Sequence, residues 1–454
     1  MSEPLGDVEE GADTVLSLLP PGEGAPAGAD EGPVSGRRND LASTSGNGEP
    51  DPHPNPSPEG RGASIRNPGI DLLRGLSILL VVLHHVGLRI PLRKTALGDV
   101  LPKWLTSAIN YNGYEAVFVF FTISGFLIAG HALRRWGALS AIDLRGFYAR
   151  RAARILPCLL ALVGVLALLH AAGFEDYLIH KPGQSLPRAI LAALGLHLNW
   201  YEGMHGYLPG NWDVLWSLSI EEVFYLGFPL VCLFTRRTAV LAPLLVVLAL
   251  SLPWTHAALA GNEIWQEKAW LPGMAAIATG VLAALVAAGE VLPRRAFANA
   301  ACIAGAAGLA SILFVEDVLW DAYADATLLV LTVSVASLLA GLHWRERLGA
   351  GRPQRGFGWL RSFGRLSYEV YLTHMFVVYG AVRLWKAWGA DTPHGWLWYV
   401  PVVALCWLLG ALVARWFSTP ADRALRERWL ARARTPDVAA HAAGRHTPME
   451  GASP

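Results

Sequence analysis

Four stretches of this 454-residue sequence set ionisable side chains within apolar runs. The first reads Gly69-Ile-Asp-Leu-Leu-Arg-Gly-Leu-Ser-Ile-Leu-Leu-Val-Val-Leu-His-His-Val-Gly. On a helix, Asp71 and Arg74 share a face because they are three residues apart. His85 lies eleven residues beyond Arg74, three turns on, so it shares that face about 16 Å along the axis. His84 points about 100° away. An imidazole so placed can take a hydroxyl proton as general base or carry an acyl group itself. A guanidinium on the same face can stabilise developing negative charge. The plainer alternatives are a polar bond to a neighbouring helix for His85 and an interface ion pair for Asp71 with Arg74.

The second stretch, Trp212-Asp-Val-Leu-Trp-Ser-Leu-Ser-Ile-Glu-Glu-Val-Phe-Tyr-Leu, contains Trp216 and stacks Ser217, Glu221 and Tyr225 on one face, with Glu222 directed elsewhere. The third, Arg150-Arg-Ala-Ala-Arg-Ile-Leu-Pro, puts Arg151 and Arg154 on one face. Two guanidinium groups there suit phosphates, and plain topological anchoring accounts for them equally well. The fourth, Leu366-Ser-Tyr-Glu-Val-Tyr-Leu-Thr-His-Met, aligns Ser367, Tyr371 and His374, which a structural hydrogen-bond network would also explain. The sequence has no Walker P-loop, no His-Glu-x-x-His zinc helix and no Gly-x-Ser-x-Gly elbow. Gly125 reads as a close helix contact.

The elements that must carry these residues are membrane helices. Hydrophobic residues make up 53% of the chain and charged ones 16%, against about a quarter in a soluble protein. Uncharged runs such as 155–169, 239–252 and 324–342 approach or reach the roughly 20 residues a bilayer crossing needs. The chain is therefore expected to be all-α, a polytopic bundle of about ten spans. These are placed at 70–88, 114–133, 154–172, 213–235, 239–254, 272–290, 297–315, 324–343, 364–383 and 397–417.

Arginines follow the second, fourth, sixth, eighth and tenth spans. By the positive-inside rule both termini are cytoplasmic, and the acidic loop 316–325 faces the other side. Counting the apolar segment 186–200 as a span would put Arg236 and Arg237 outside, so it is expected to be a short interfacial or re-entrant helix. Residues 1–64 and 431–454 are expected to be disordered cytoplasmic tails around a 65–430 membrane domain, and the N-terminal tail lacks the features of a signal peptide. A net charge of +1 gives no pointer to nucleic acid. The four cysteines, Cys158, Cys232, Cys302 and Cys406, are spaced neither for metal nor for a disulfide framework, and no metal is expected.

Taken in order, these motifs resemble the membrane acyltransferase-3 family, which O-acylates bacterial surface polysaccharides and related acceptors. Asp71-Leu-Leu-Arg-Gly with His85 is similar to its first-helix motif, and Phe120-Phe-Thr-Ile-Ser-Gly-Phe-Leu-Ile to its second-helix signature. Arg151-Ala-Ala-Arg-Ile-Leu-Pro resembles its Arg-x-x-Arg element. Trp216-Ser-Leu-Ser-Ile-Glu-Glu-Val-Phe-Tyr-Leu and Ser367-Tyr-Glu-Val-Tyr-Leu-Thr-His resemble its two later motifs. The resemblance covers about 66–420 and implies a ten-helix core in the bacterial inner membrane. It also implies an acyl-coenzyme A co-substrate, usually acetyl-coenzyme A, bound by Arg151 and Arg154. His85, Arg74 and Glu221, with Asp71, would serve transfer. Trp216, Ser217, Tyr225 and His374 are the candidate substrate-binding residues.

The chain departs from the pattern at Ala116 and Phe118, before and within the aromatic run, and at Ser418-Thr419-Pro420, where many members have Glu-x-Pro. No appended hydrolase-like extracytoplasmic domain is expected, so a second domain would be expected to come from a separate partner. A homo-oligomer is also compatible with the sequence. The expected acceptor is a glycan or lipid-linked sugar at the membrane lipid surface. The rival expectation is a transporter or flippase of a glycan-related solute, with the buried charges lining a path.

Overall fold

The computed structural model describes residues 67–351 and 356–431, and all of their regular structure is helical. The expected tail 1–64, and the expected tail 431–454 apart from Ala431, lie outside the described residues.

Ten helices coincide with the ten expected spans. They are α1 (Pro68–Gly87), α2 (Gly113–Trp136), α3 (Leu144–Ala171), α4 (Trp216–Thr235), α5 (Thr238–Leu250), α6 (Trp270–Ala287), α7 (Arg295–Phe314), α8 (Ala326–Arg347), α9 (Ser367–Ala387) and α10 (Tyr399–Val413). Eight helical segments are long and apolar enough to cross a membrane. Of the remaining two, α5 is apolar but has only 13 residues. The 21 residues of α9 include Glu369, His374, Arg383 and Lys386.

The boundaries differ where local chemistry intervenes. Helix α3 starts at Leu144, well before 154, because Asp143 caps it by accepting from the Arg145 and Gly146 amides. Arg150, Arg151 and Arg154 therefore stand on a rigid helix instead of a loop. The segment 186–200 forms part of two helices, Leu186–Leu194 and Leu198–His205, separated by a break in which Leu196 takes a left-handed φ of 59°. Neither is long enough to cross a bilayer. Helix α10 opens into a π-helical turn, Ala414–Ser418, before continuing as Thr419–Ala431. Such turns re-aim side chains, here Ser418.

In lipid the hydrophobic effect does not drive one helix against another, so close packing through small residues must do so. A Cβ on Gly125 would lie 1.9 Å from the Ile277 carbonyl oxygen, and one on Gly280 1.9 Å from that of Thr122. The crossing of α2 and α6 is thus backbone against backbone. Gly364, on the short helix Gly358–Arg365, meets α1 in the same way at the Asp71 carbonyl. Large apolar side chains such as Phe234, Leu168 and Val247 cover the outside of the bundle, as a lipid-facing surface requires.

Candidate active site

The face of α1 that carries Arg74 and His85 is turned toward α9. Arg74 Nη2 donates to Ser367 Oγ at 2.7 Å. Eleven residues on, the His85 ring lies 5.1 Å, centroid to centroid, from the His374 ring. Both contacts advance in the same direction along the two helices, so α1 and α9 run parallel. His84 turns away to the Asn110 carbonyl, 2.9 Å from its Nδ1. Asp71 is buried beside this face.

His374 is fully buried, and its Nδ1 lies 2.7 Å from the Tyr371 carbonyl oxygen. A carbonyl only accepts, so Nδ1 carries the proton and Nε2 keeps its lone pair. That Nε2 and His85 Nδ1 are both buried without a hydrogen-bond partner among the described residues. Arg89 fixes the backbone here, donating from Nη1 to the His85 carbonyl at 2.8 Å. Helix α4 closes the third side: Tyr371 Oη donates to the Val214 carbonyl at 2.9 Å, so the 2.7 Å bond to Ser217 is donated by Ser217. Trp216 is buried edge-on to Phe121 of α2.

A second group of charges lies at the end of the bundle where α3 and α9 begin and α10 ends. The Arg151 guanidinium lies 3.6 Å from the centroid of the Tyr225 ring and 3.5 Å from Glu222 Oε1. Arg154 pairs with Glu369 at 2.9 Å and donates to Ser418 Oγ at 3.2 Å. Ser418 in turn donates to Glu369 at 2.6 Å. The two arginines therefore share a helix face but are held by different partners. About a third of each side chain stays accessible, which leaves both able to meet an anion. Ser124 of α2 donates to Glu221, which is within electrostatic reach of Arg151 and Arg74.

Four participants escape sequence spacing. Glu222 was set aside because it points away from Glu221, yet that direction brings it to Arg151. Glu369 and Ser124 lie inside quoted motifs, and the doublet Glu221-Glu222 and the Ser-Tyr-Glu run were the available signals. Ser418, a departure from the family's acidic position, sits against Arg154 and Glu369.

A third cluster lies beyond the histidines. Lys268, 2% exposed, pairs with Glu202 at 3.0 Å and with Asp213, and its ammonium lies 4.2 Å from the centroid of the Tyr207 ring. Glu202 also accepts from the Leu208 amide. It lies outside the spans, and burial pushes its carboxyl well above the usual range.

Residues 67–416 match the family described as the acyltransferase domain, and the chain belongs to that family. With its long apolar helices, it is a multi-pass membrane protein. The chain is similar to the O-acetyltransferase OatA of Staphylococcus aureus strain NCTC 8325, 31% identical over 178 residues. That match covers 37% of this chain and 25% of the relative. OatA of Staphylococcus aureus strain COL matches to the same extent, 31% over 37% of this chain and 25% of the relative. The chain thus spans about a quarter of the length of the curated relatives it matches. No solved structure matches it.

Proposed function

We propose that the chain is a membrane O-acyltransferase. It moves an acyl group, acetyl in the simplest case, from cytoplasmic acyl-coenzyme A to a hydroxyl of a surface or secreted glycan, free or lipid-linked, at the bacterial inner membrane. The observation that carries this reading is the imidazole pair: the ring centroids of His374 and His85 lie 5.1 Å apart, and His374 is held in the tautomer that leaves its Nε2 unprotonated. The family and the O-acetyltransferase relatives support the reaction class.

The donor's phosphates approach the end where Arg151 and Arg154 stand and take the place of Glu222 and Glu369 as their counter-ions. The thioester reaches inward along α1, past Arg74. Arg74 is three turns from His85, so it holds the donor while the imidazoles handle the hydroxyl. The acceptor oxygen attacks the thioester carbonyl and the carbon–sulfur bond breaks. The hydroxyl proton passes to an imidazole nitrogen and then to the departing thiolate. Glu221 and Ser124 set the field beside Arg74 and Arg151. Tyr371 and Ser217 hold α9 against α4, which fixes the direction of His374.

The test uses membranes carrying the full chain, labelled acetyl-coenzyme A, and mass spectrometry of envelope glycans after gene deletion. An ester of defined mass lost on deletion and restored by the wild-type gene supports the proposal. An unchanged glycan ester profile overturns it.

A further inference from the structure

Helix α10 runs through its π-helical turn, Ala414–Ser418, into the helix Thr419–Ala431 without a loop. Pro420 has no amide hydrogen to return to the Trp416 carbonyl, and the Thr419 amide reaches back five residues to the Ala414 carbonyl. The widened turn divides its side chains. Ser418 is buried against Arg154 and Glu369. Arg415, and Arg423 one helical turn past Thr419, are exposed.

A groove of about 410 Å³ lies between this segment and the start of α9, within the size of small-molecule sites. Leu366, Ala411, Ala414 and Pro420 give it an apolar lining, and Arg415 and Arg423 line it as well. Neither arginine is ion-paired among the described residues, and Asp422, beside Arg423, is held by Arg426 at 2.6 Å. This sets the groove apart from Arg151 and Arg154, which each face a carboxylate of the chain.

The groove lies at the end of the bundle that the positive-inside rule assigns to the cytoplasm. Two indoles flank it. Trp407 donates from Nε1 to Ser362 Oγ at 3.0 Å, and Trp416 is 69% exposed. Indoles favour the headgroup level of a bilayer, so the two guanidinium groups stand at the depth of the lipid phosphates. Exposed Leu405 and Leu408 continue the lipid-facing surface along α10.

We propose that this groove binds one anionic phospholipid. The phosphodiester bridges Arg415 and Arg423, and an acyl chain lies over Leu366, Ala411 and Ala414 toward Leu408. A zwitterionic lipid offers the same phosphate but brings its own cation to two uncompensated arginines, so the anionic headgroup is preferred. Ser418 belongs to the same turn, so the bound lipid also steadies the contacts of Arg154 and Glu369. The site requires neither acyl donor nor acceptor.

The test uses the full chain purified in detergent and titrated with phosphatidylglycerol, phosphatidylcholine or inorganic phosphate. Bound lipid is read by native mass spectrometry, and the unfolding temperature is followed alongside. Phosphatidylglycerol is expected to be retained at least tenfold more tightly than phosphatidylcholine and to raise the unfolding temperature, with inorganic phosphate doing neither. Arg415→Gln combined with Arg423→Gln should weaken phosphatidylglycerol about tenfold or more and leave the lipid-free unfolding temperature unchanged. Should the double variant fail to accumulate, Ala414→Leu, which fills the groove and keeps both charges, is held to the same loss. Equal retention of the two lipids, undiminished phosphatidylglycerol binding by either variant, or inorganic phosphate reproducing the shift overturns the proposal.

Discussion

The His85 and His374 ring centroids lie 5.1 Å apart although 289 positions separate the residues, and each ring has a buried nitrogen with no hydrogen-bond partner among the described residues. Two helices that could have packed with leucines instead bury two imidazoles. Proton transfer by positioned groups contributes about 10²–10⁴-fold to a rate.

His374 is held in one tautomer by the Tyr371 carbonyl. Replacing it with Gln keeps a hydrogen-bonding side chain but removes the basic nitrogen. The turnover of label transfer is expected to fall by about 10²-fold or more, with donor binding kept. Turnover within twofold of wild type would make His374 a packing residue.

Arg151 is stacked on Tyr225 and faces Glu222. Hydrogen bonds to charged groups contribute about 1.5–3 kcal/mol, so Arg151→Ala should raise the donor KM by about one to two orders of magnitude. Acceptor KM should change little. Arg151→Lys should recover only part of the loss, because an ammonium lacks the planar fork. A shift in acceptor KM alone would contradict this.

Glu369 is 1% exposed and depends on Arg154 and Ser418. Arg154→Met strands this carboxylate and should destabilise the bundle by up to about 3 kcal/mol, less than for a fully enclosed pair because Arg154 is partly accessible. The double variant with Glu369→Gln should recover most of the unfolding temperature in detergent. Equal unfolding temperatures for the single and double variants would refute the coupling.

Lys268 neutralises Glu202 at the third cluster. Burial raises the Glu202 carboxyl above its ordinary value, so without Lys268 the fold favours the protonated acid. The stability of Lys268→Met should then be greatest below the unfolded glutamate pKa and be lost as pH rises through the folded one. Unfolding temperatures measured across this range should fall with rising pH more steeply than in wild type. A variant that loses stability on acidification instead would show the opposite sign.

The helices were legible because each carries a long apolar run. The spacing that aligns Arg74 with His85 matches contacts of both with α9, at Ser367 and His374, while Tyr371 turns to Ser217 and Val214. Contacts between helices were not legible. Glu221 and Glu222 lie 100° apart on one helix, which says that they face different neighbours but not that these are Ser124 and Arg151. Lys268, Glu202 and Asp213 come from three separate segments, and no periodicity links them. The early start of α3 was hidden because arginines read as a loop until the Asp143 cap is considered.

The most direct test is label transfer from acetyl-coenzyme A to envelope glycan by membranes carrying His85→Ala beside wild type. Transfer should fall by about 10²-fold or more while saturable donor binding persists. Undiminished transfer by His85→Ala would contradict catalysis at the imidazole pair.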